Sequence, residues 1–176
     1  MSDTRLAELL DKEDIRTLAQ LYSRAIDRRD SDLLRDLYTP DATDTHGSVF
    51  DGPAQAYCAF IDAAMPAIPY CGHHICNHLI EVDSPAGTAQ GEVYAIAMHI
   101  LPDGHGGQVE DILTVRYLDH YRRCTDGKWR FAKRVVSFDM HVVRPYPPAD
   151  MVPPASGSDI SYETLTARLF RPGARG

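Results

Sequence analysis

From Leu6 to Arg28 apolar residues recur at threes and fours (Leu6, Leu9, Leu10, Ile15, Leu18, Leu21, Tyr22, Ala25, Ile26), the period of an amphipathic helix. Its inner stripe runs into Tyr22 and Ile26, close to Asp27. A second, short helix is predicted over Asp32 to Leu37, capped by Asp30 or Ser31. Thr39-Pro40-Asp41 ends it, because the residue before a proline disfavours helix. A short strand around Ala42 to Thr45 and a turn over Gly47 to Gly52 lead into a third helix. Pro53 stands at the first position of that helix, which runs to about Ala64 and is closed by Pro66 and Pro69.

After Pro69 the texture changes to alternation. Four long strands are predicted, at about Gly72 to Val82, Thr88 to Ile100, Val109 to Arg122 and Trp129 to His141, joined by short turn-rich connections into one antiparallel sheet. Helices first and strands afterwards make an α+β domain, with the helices on one face of a curved sheet that leaves a conical pocket. This domain is expected over residues 1–144. Residues 145–176 form a Pro-rich C-terminal arm, with a short helix over Ile160 to Leu169 that docks on the body or on a partner subunit.

The length of 176 residues, 44% hydrophobic and 24% charged, suits one domain with a substantial core. A net charge of −7 without a basic stripe excludes nucleic acid as a partner. No run reaches the roughly 20 apolar residues of a membrane span, and Met1-Ser2-Asp3-Thr4-Arg5 leads straight into a polar helix, so no membrane partner and a cytoplasmic protein are expected. Cys58, Cys71, Cys76 and Cys124 form no CxxC pair and are expected as thiols filling core or pocket. A nucleophilic role for Cys71 or Cys76 is the less common alternative.

Strand alternation sorts the candidate chemistry by face. His73 shares a face with Ile75 and Asn77, and His74, Cys76 and His78 share the other. His99 shares a face with Val93, Ala95 and Ala97, whose small side chains leave room for a ligand; it is either a second pocket imidazole or a strand-end surface residue. Leu113, Val115 and Tyr117 line the cavity, with Arg116 on the opposite face, while Asp139 and His141 read as structural. Zinc is not expected, because His73 and His74 fall on opposite faces and no Cys or His partner has ligand spacing.

The order of elements, with Leu21-Tyr22-Ser23-Arg24-Ala25-Ile26-Asp27-Arg28-Arg29-Asp30, Tyr38-Thr39-Pro40-Asp41-Ala42, His73 with Asn77, Arg116-Tyr117-Leu118-Asp119-His120-Tyr121 and Asp126-Gly127-Lys128-Trp129-Arg130-Phe131, resembles the SnoaL-like family of the nuclear transport factor 2-like superfamily. Its eliminating members include scytalone dehydratase, bile acid 7α-dehydratase and γ-hexachlorocyclohexane dehydrochlorinase. The resemblance implies a cone-shaped α+β barrel. It also implies an Asp-His dyad at Asp27 and His73, in which the His removes a proton from carbon while the Asp orients and charges it. Tyr22 resembles the bile acid dehydratase arrangement, and Arg134 that of the dehydrochlorinase, which has a Lys in place of Tyr22.

An imidazole titrating near pH 6.5 can serve as a neutral base at pH 7, and a carboxylate beside it fixes its tautomer. Tyr22 lies about 1.4 turns before Asp27 and can donate to an oxygen that gains charge. Arg134 either holds an enolate or carboxylate, or pairs with an acidic residue such as Glu110 or Asp111 on a neighbouring strand. The expectation is a lyase of dehydratase type, or an isomerase, without cofactor, acting on a cyclic, largely apolar small molecule. A homo-oligomer, dimer or trimer, is expected. The rival is a noncatalytic ligand-binding or subunit-association module, as in dioxygenase β subunits. An open pocket holding Asp27 and His73 in hydrogen-bond reach separates the enzyme from the module, whose interior would be filled.

Overall fold

The computed structural model describes residues 3–147 and 159–173. The chain folds as α1 (Asp3–Asp27), α2 (Ser31–Asp36), β1 (Tyr38–His46), β2 (Phe50–Pro53), α3 (Ala54–Ala64), β3 (Tyr70–Asp83), β4 (Thr88–Pro102), β5 (Gln108–Arg123), β6 (Trp129–Tyr146) and α4 (Ile160–Thr164). The sheet order is β2-β1-β6-β5-β4-β3. The two edges do not join, so the expected barrel is a strongly curved open sheet, cone-like in form.

The four long strands pair antiparallel, as alternation and short turns predict. The sheet as a whole is mixed, because β1 lies parallel to β6 and β2 returns antiparallel beside it. Pro40 explains how a strand begins where a helix end was expected: lacking an N–H, it sits in the irregular stretch between the Tyr38 and Thr43 pairings. The expected turn at Gly47 to Gly52 is confined to its first half, and Pro53 is the N-cap of α3 rather than its first helical residue. Pro145, assigned to the arm from sequence, pairs with Val109 inside β6.

The α1 stripe packs on the concave face. Ile15, Leu18, Tyr22, Ala25 and Ile26 are at most 3% exposed, and each large side chain so buried contributes about 1.5–3 kcal/mol. The C-terminal segment docks on the body. Arg24 on α1 donates to Ser161 Oγ (3.1 Å) and to the Phe170 carbonyl (3.0 Å), and Arg28 pairs with Asp159 (2.9 Å).

Strand β3 departs from strict alternation. Ile75 pairs with Ala95 but His78 with Val93, so the bulge spends one extra residue and turns His78 inward. The expectation that His78 lies opposite His73 is therefore corrected, and Asn77, expected beside His73, is exposed. His78 Nε2 reaches the Tyr121 hydroxyl at 3.1 Å. Gly91 on β4 admits the turned ring: a Cβ there would lie 3.1 Å from His78 Nε2 and 3.0 Å from the Leu79 carbonyl.

Candidate active site

Asp27 owes its place to how α1 stops. Asp30 N–H donates to the Ala25 carbonyl (2.8 Å) and Arg29 N–H to that of Ile26 (3.1 Å), a Schellman turn with Arg29 at φ 55°. A non-glycine residue there costs about 1 kcal/mol, which the Arg29 guanidinium offsets by donating to the Ile68 carbonyl at 2.7 Å. The helix thus ends directly behind Asp27 and presents its carboxylate to the start of β3. One oxygen accepts the His73 backbone N–H at 3.0 Å, and the other meets His73 Nδ1 at 2.8 Å. The side chains are 14% and 9% exposed, so the pair is shielded, and the Nε2 edge of the imidazole remains for a ligand.

His73 lines a cavity of about 240 Å³. Tyr22, His99, Val115 and Tyr117, all expected in the site, line it as well, together with Ala97, Leu113, Ile26, Ile61, Met65 and Ile68. Val93 and Ala95 do not: they are buried in the core cluster, and Ala97, one strand period further along β4, takes their place. His99 is T-shaped against His73, with ring centroids 5.9 Å apart. Its Nδ1 meets Asp111 at 2.9 Å, and burial lowers its basicity against the pull of that carboxylate. Asp111 also reaches the more exposed His141 at 2.5 Å.

Arg134 stands apart from the cavity. It is fully buried and bonded through Nε and Nη2 to Asp119, both at 2.8 Å. Its guanidinium carbon lies 4.1–4.2 Å from the ring centroids of Tyr22, Tyr117 and Phe131. Three aromatic faces and one carboxylate hold this cation, each desolvated cation–π contact contributing about 2 kcal/mol, while Nη1 has no hydrogen-bond partner among the described residues. Neither the anion clamp nor the pairing with Glu110 or Asp111 is met; Glu110 pairs with Arg144 instead. Among the thiols, Cys58 is buried and Cys71 half-buried beside the dyad, while Cys76 is exposed rather than a filler; all four are free.

Two further polar groups escape the sequence reading. Tyr57 on α3 and His46 at the end of β1 line the cavity, their rings stacked 4.5 Å apart. The Tyr57 and Tyr22 hydroxyls are 2.9 Å apart, and His46 Nδ1 is held by the fully buried Asp44. Burial pushes both phenols well above their ordinary range, so both stay protonated; one hydroxyl donates to the other, and that of Tyr57 also lies 3.2 Å from His46 Nε2. The Asp44-x-His46 spacing on a strand was the available signal; ending the strand at Thr45 hid it. The remaining lining is apolar, and among its described residues none is Lys or Arg. The site therefore combines imidazole and phenol side chains with an apolar wall and no Lys or Arg among the described lining residues.

Solved structures with the same fold include the Kfla4162 protein of Kribbella flavida (24% identity, 77% of this chain and 95% of that one, TM-score 0.68). A putative scytalone dehydratase of Novosphingobium aromaticivorans is similar at 21% identity, covering 83% and 97% of the two chains, with a TM-score of 0.68. The hexachlorocyclohexane dehydrochlorinase LinA-type3 of Novosphingobium barchaimii is similar at 20% identity, 85% and 99% coverage and a TM-score of 0.69. No curated protein matches the sequence. These structures share the nuclear transport factor 2-like fold, with its curved sheet packed against an N-terminal helix. Residues 7–135 match the family model described as a SnoaL-like domain, so the chain, with its cone-like sheet and helix-borne Asp27, belongs to the SnoaL-like family.

Proposed function

We propose that the protein is a lyase of dehydratase type, or an isomerase, that needs no cofactor and acts on a neutral cyclic, largely apolar small molecule. The observation that carries this reading is the 2.8 Å contact of Asp27 with His73 Nδ1 at the wall of an open, mainly apolar cavity. Asp27 fixes the tautomer in which Nε2 is unprotonated, so His73 can take a proton from a carbon beside a carbonyl, and the carboxylate stabilises the imidazolium that forms. Tyr22, backed by Tyr57, donates to the oxygen that gains charge or leaves. A cavity of about 240 Å³ lies below the roughly 300–1,000 Å³ of drug-sized sites and suits one or two rings. The names of two similar structures, a dehydratase and a dehydrochlorinase, both describe eliminations and support the lyase side. Tyr22 in place of a lysine favours loss of water over loss of halide.

Turnover of a panel of cyclic β-hydroxyketones and cyclic enones tests the reading. His73→Ala should lower turnover of any accepted compound by about 10²–10⁴-fold with an unchanged circular dichroism spectrum. Turnover that survives the substitution would remove His73 as the base.

A further inference from the structure

We propose that Cys71, His73, His99 and Asp27 form a capture site for one divalent ion of the zinc class, and that capture switches the base off. Cys71 and His99 stand directly opposite each other in the β3–β4 ladder, and His73 follows Cys71 by one strand period on the same face. The sequence hides this set, because its third member lies on another strand. One ligand atom from each of Cys71, His73 and His99 lies within 4.8 Å of the other two. Cys71 Sγ is 3.7 Å from His73 Nδ1 and 3.7 Å from Asp27 Oδ1, which are themselves 2.8 Å apart.

The separations among Cys71, His73 and Asp27 are close to the edges of a coordination tetrahedron, and His99, bounded only by 4.8 Å, moves in as the fourth corner. With metal–sulfur bonds of about 2.3 Å and metal–nitrogen or metal–oxygen bonds of about 2.0 Å, the S–N edge is about 3.5 Å and the N–O edge about 3.3 Å. Shifts of about half an ångström or less therefore complete the triangle. The outer shell is also present: Asp111 holds one ring nitrogen of His99, leaving the other, and the second oxygen of Asp27 is fixed by the His73 N–H. A thiolate with two imidazoles selects Zn²⁺ or Co²⁺ over Mg²⁺ and Ca²⁺.

The protons balance as follows. A cysteine coordinates as its thiolate, so coordination by the Cys71 thiol releases one proton to solvent. At His73 the ion takes Nδ1, and the proton there moves to Nε2. The Nε2 that would accept a substrate proton is then occupied, and turnover stops. The capture site stands on geometry alone, whereas its effect on turnover rests on the lyase reading.

Cobalt titration of the full chain tests the site without a substrate. The expected result is one ion bound and one proton released per chain, with a near-ultraviolet thiolate-to-cobalt band and the strong visible bands of four-coordinate Co²⁺, both removed by Zn²⁺. Cys71→Ser should abolish the thiolate band, and His99→Gln should weaken binding by roughly 10–100-fold. His74→Gln, on the opposite sheet face, should leave the titration unchanged. Absence of the thiolate band, or wild-type affinity in both Cys71→Ser and His99→Gln, overturns the site. Because none of these readouts uses turnover, failure of the lyase assay and failure of the titration are separate results.

Discussion

An acidic residue in the last turn of a helix opposes the helix dipole by about 0.3–1 kcal/mol, so Asp27 is kept there by its partners rather than by its own helix. Its contacts to the N–H and Nδ1 of His73 provide them. His78 shows the opposite case, an imidazole whose environment resists charge. Burial, helped by Arg16 and Arg134 and opposed by Asp119, lowers its pKa from 6.5 to about 4. The unfolded chain therefore takes up a proton between those values that the folded chain refuses. Stability should be undiminished by this group above pH 6.5, fall as the pH drops from about 6.5 to about 4, and level off below. His78→Asn should flatten that part of the curve in urea unfolding at a series of pH values; an unaltered slope would mean that His78 is not its source.

At the scale of elements, the site is set at three points on two of them, α1 and β3. The Schellman turn stops α1 behind Asp27, the start of β3 receives the carboxylate, and the bulge between Ile75 and His78 lets the first half of β3 face the cavity while the second half keeps its own packing. The C-terminal segment is held at three points, by Arg24 on α1, by the Arg28–Asp159 pair and by the Gly173 N–H donating to Asp30 at 2.8 Å. Arg24 holds it through Ser161 and Phe170 and lies 5.3 Å and 5.6 Å from the rings of Tyr162 and Phe170. Hydrogen bonds to a charged group contribute about 1.5–3 kcal/mol, so Arg24→Ala should raise amide exchange in α4 by roughly ten- to a hundredfold. Exchange in β4 and β5 should not change. Protection of α4 that persists in Arg24→Ala would show that the segment is held by other contacts.

For the whole molecule, the decisive property is a cavity with acid–base groups on its wall and no Lys or Arg among its described lining residues. A neutral ring ketone such as cyclohexanone should therefore raise the unfolding free energy, by about 2.7 kcal/mol at a hundred times its Kd, and cyclohexanecarboxylate should not. Thermal unfolding with each compound checks this; equal stabilisation by both would mean that the ligand is not held in this cavity. Local pattern determined much of the rest. Helical and strand periods, proline punctuation and turn residues yielded α1, α3 and the four long strands, and the family resemblance pointed to Asp27, His73 and Tyr22. These are short-range signals, carried by residues within a few positions of one another. Only tertiary structure decided that Arg134 is spent on Asp119 and three rings, that His78 turns inward, that β1 runs parallel to β6, that His46 and Tyr57 line the cavity, and that Cys71 stands beside the dyad. Each of those outcomes depends on contacts between distant segments or on a one-residue slip in register, and a bulge inverts every facing beyond it without leaving a mark in the alternation that precedes it.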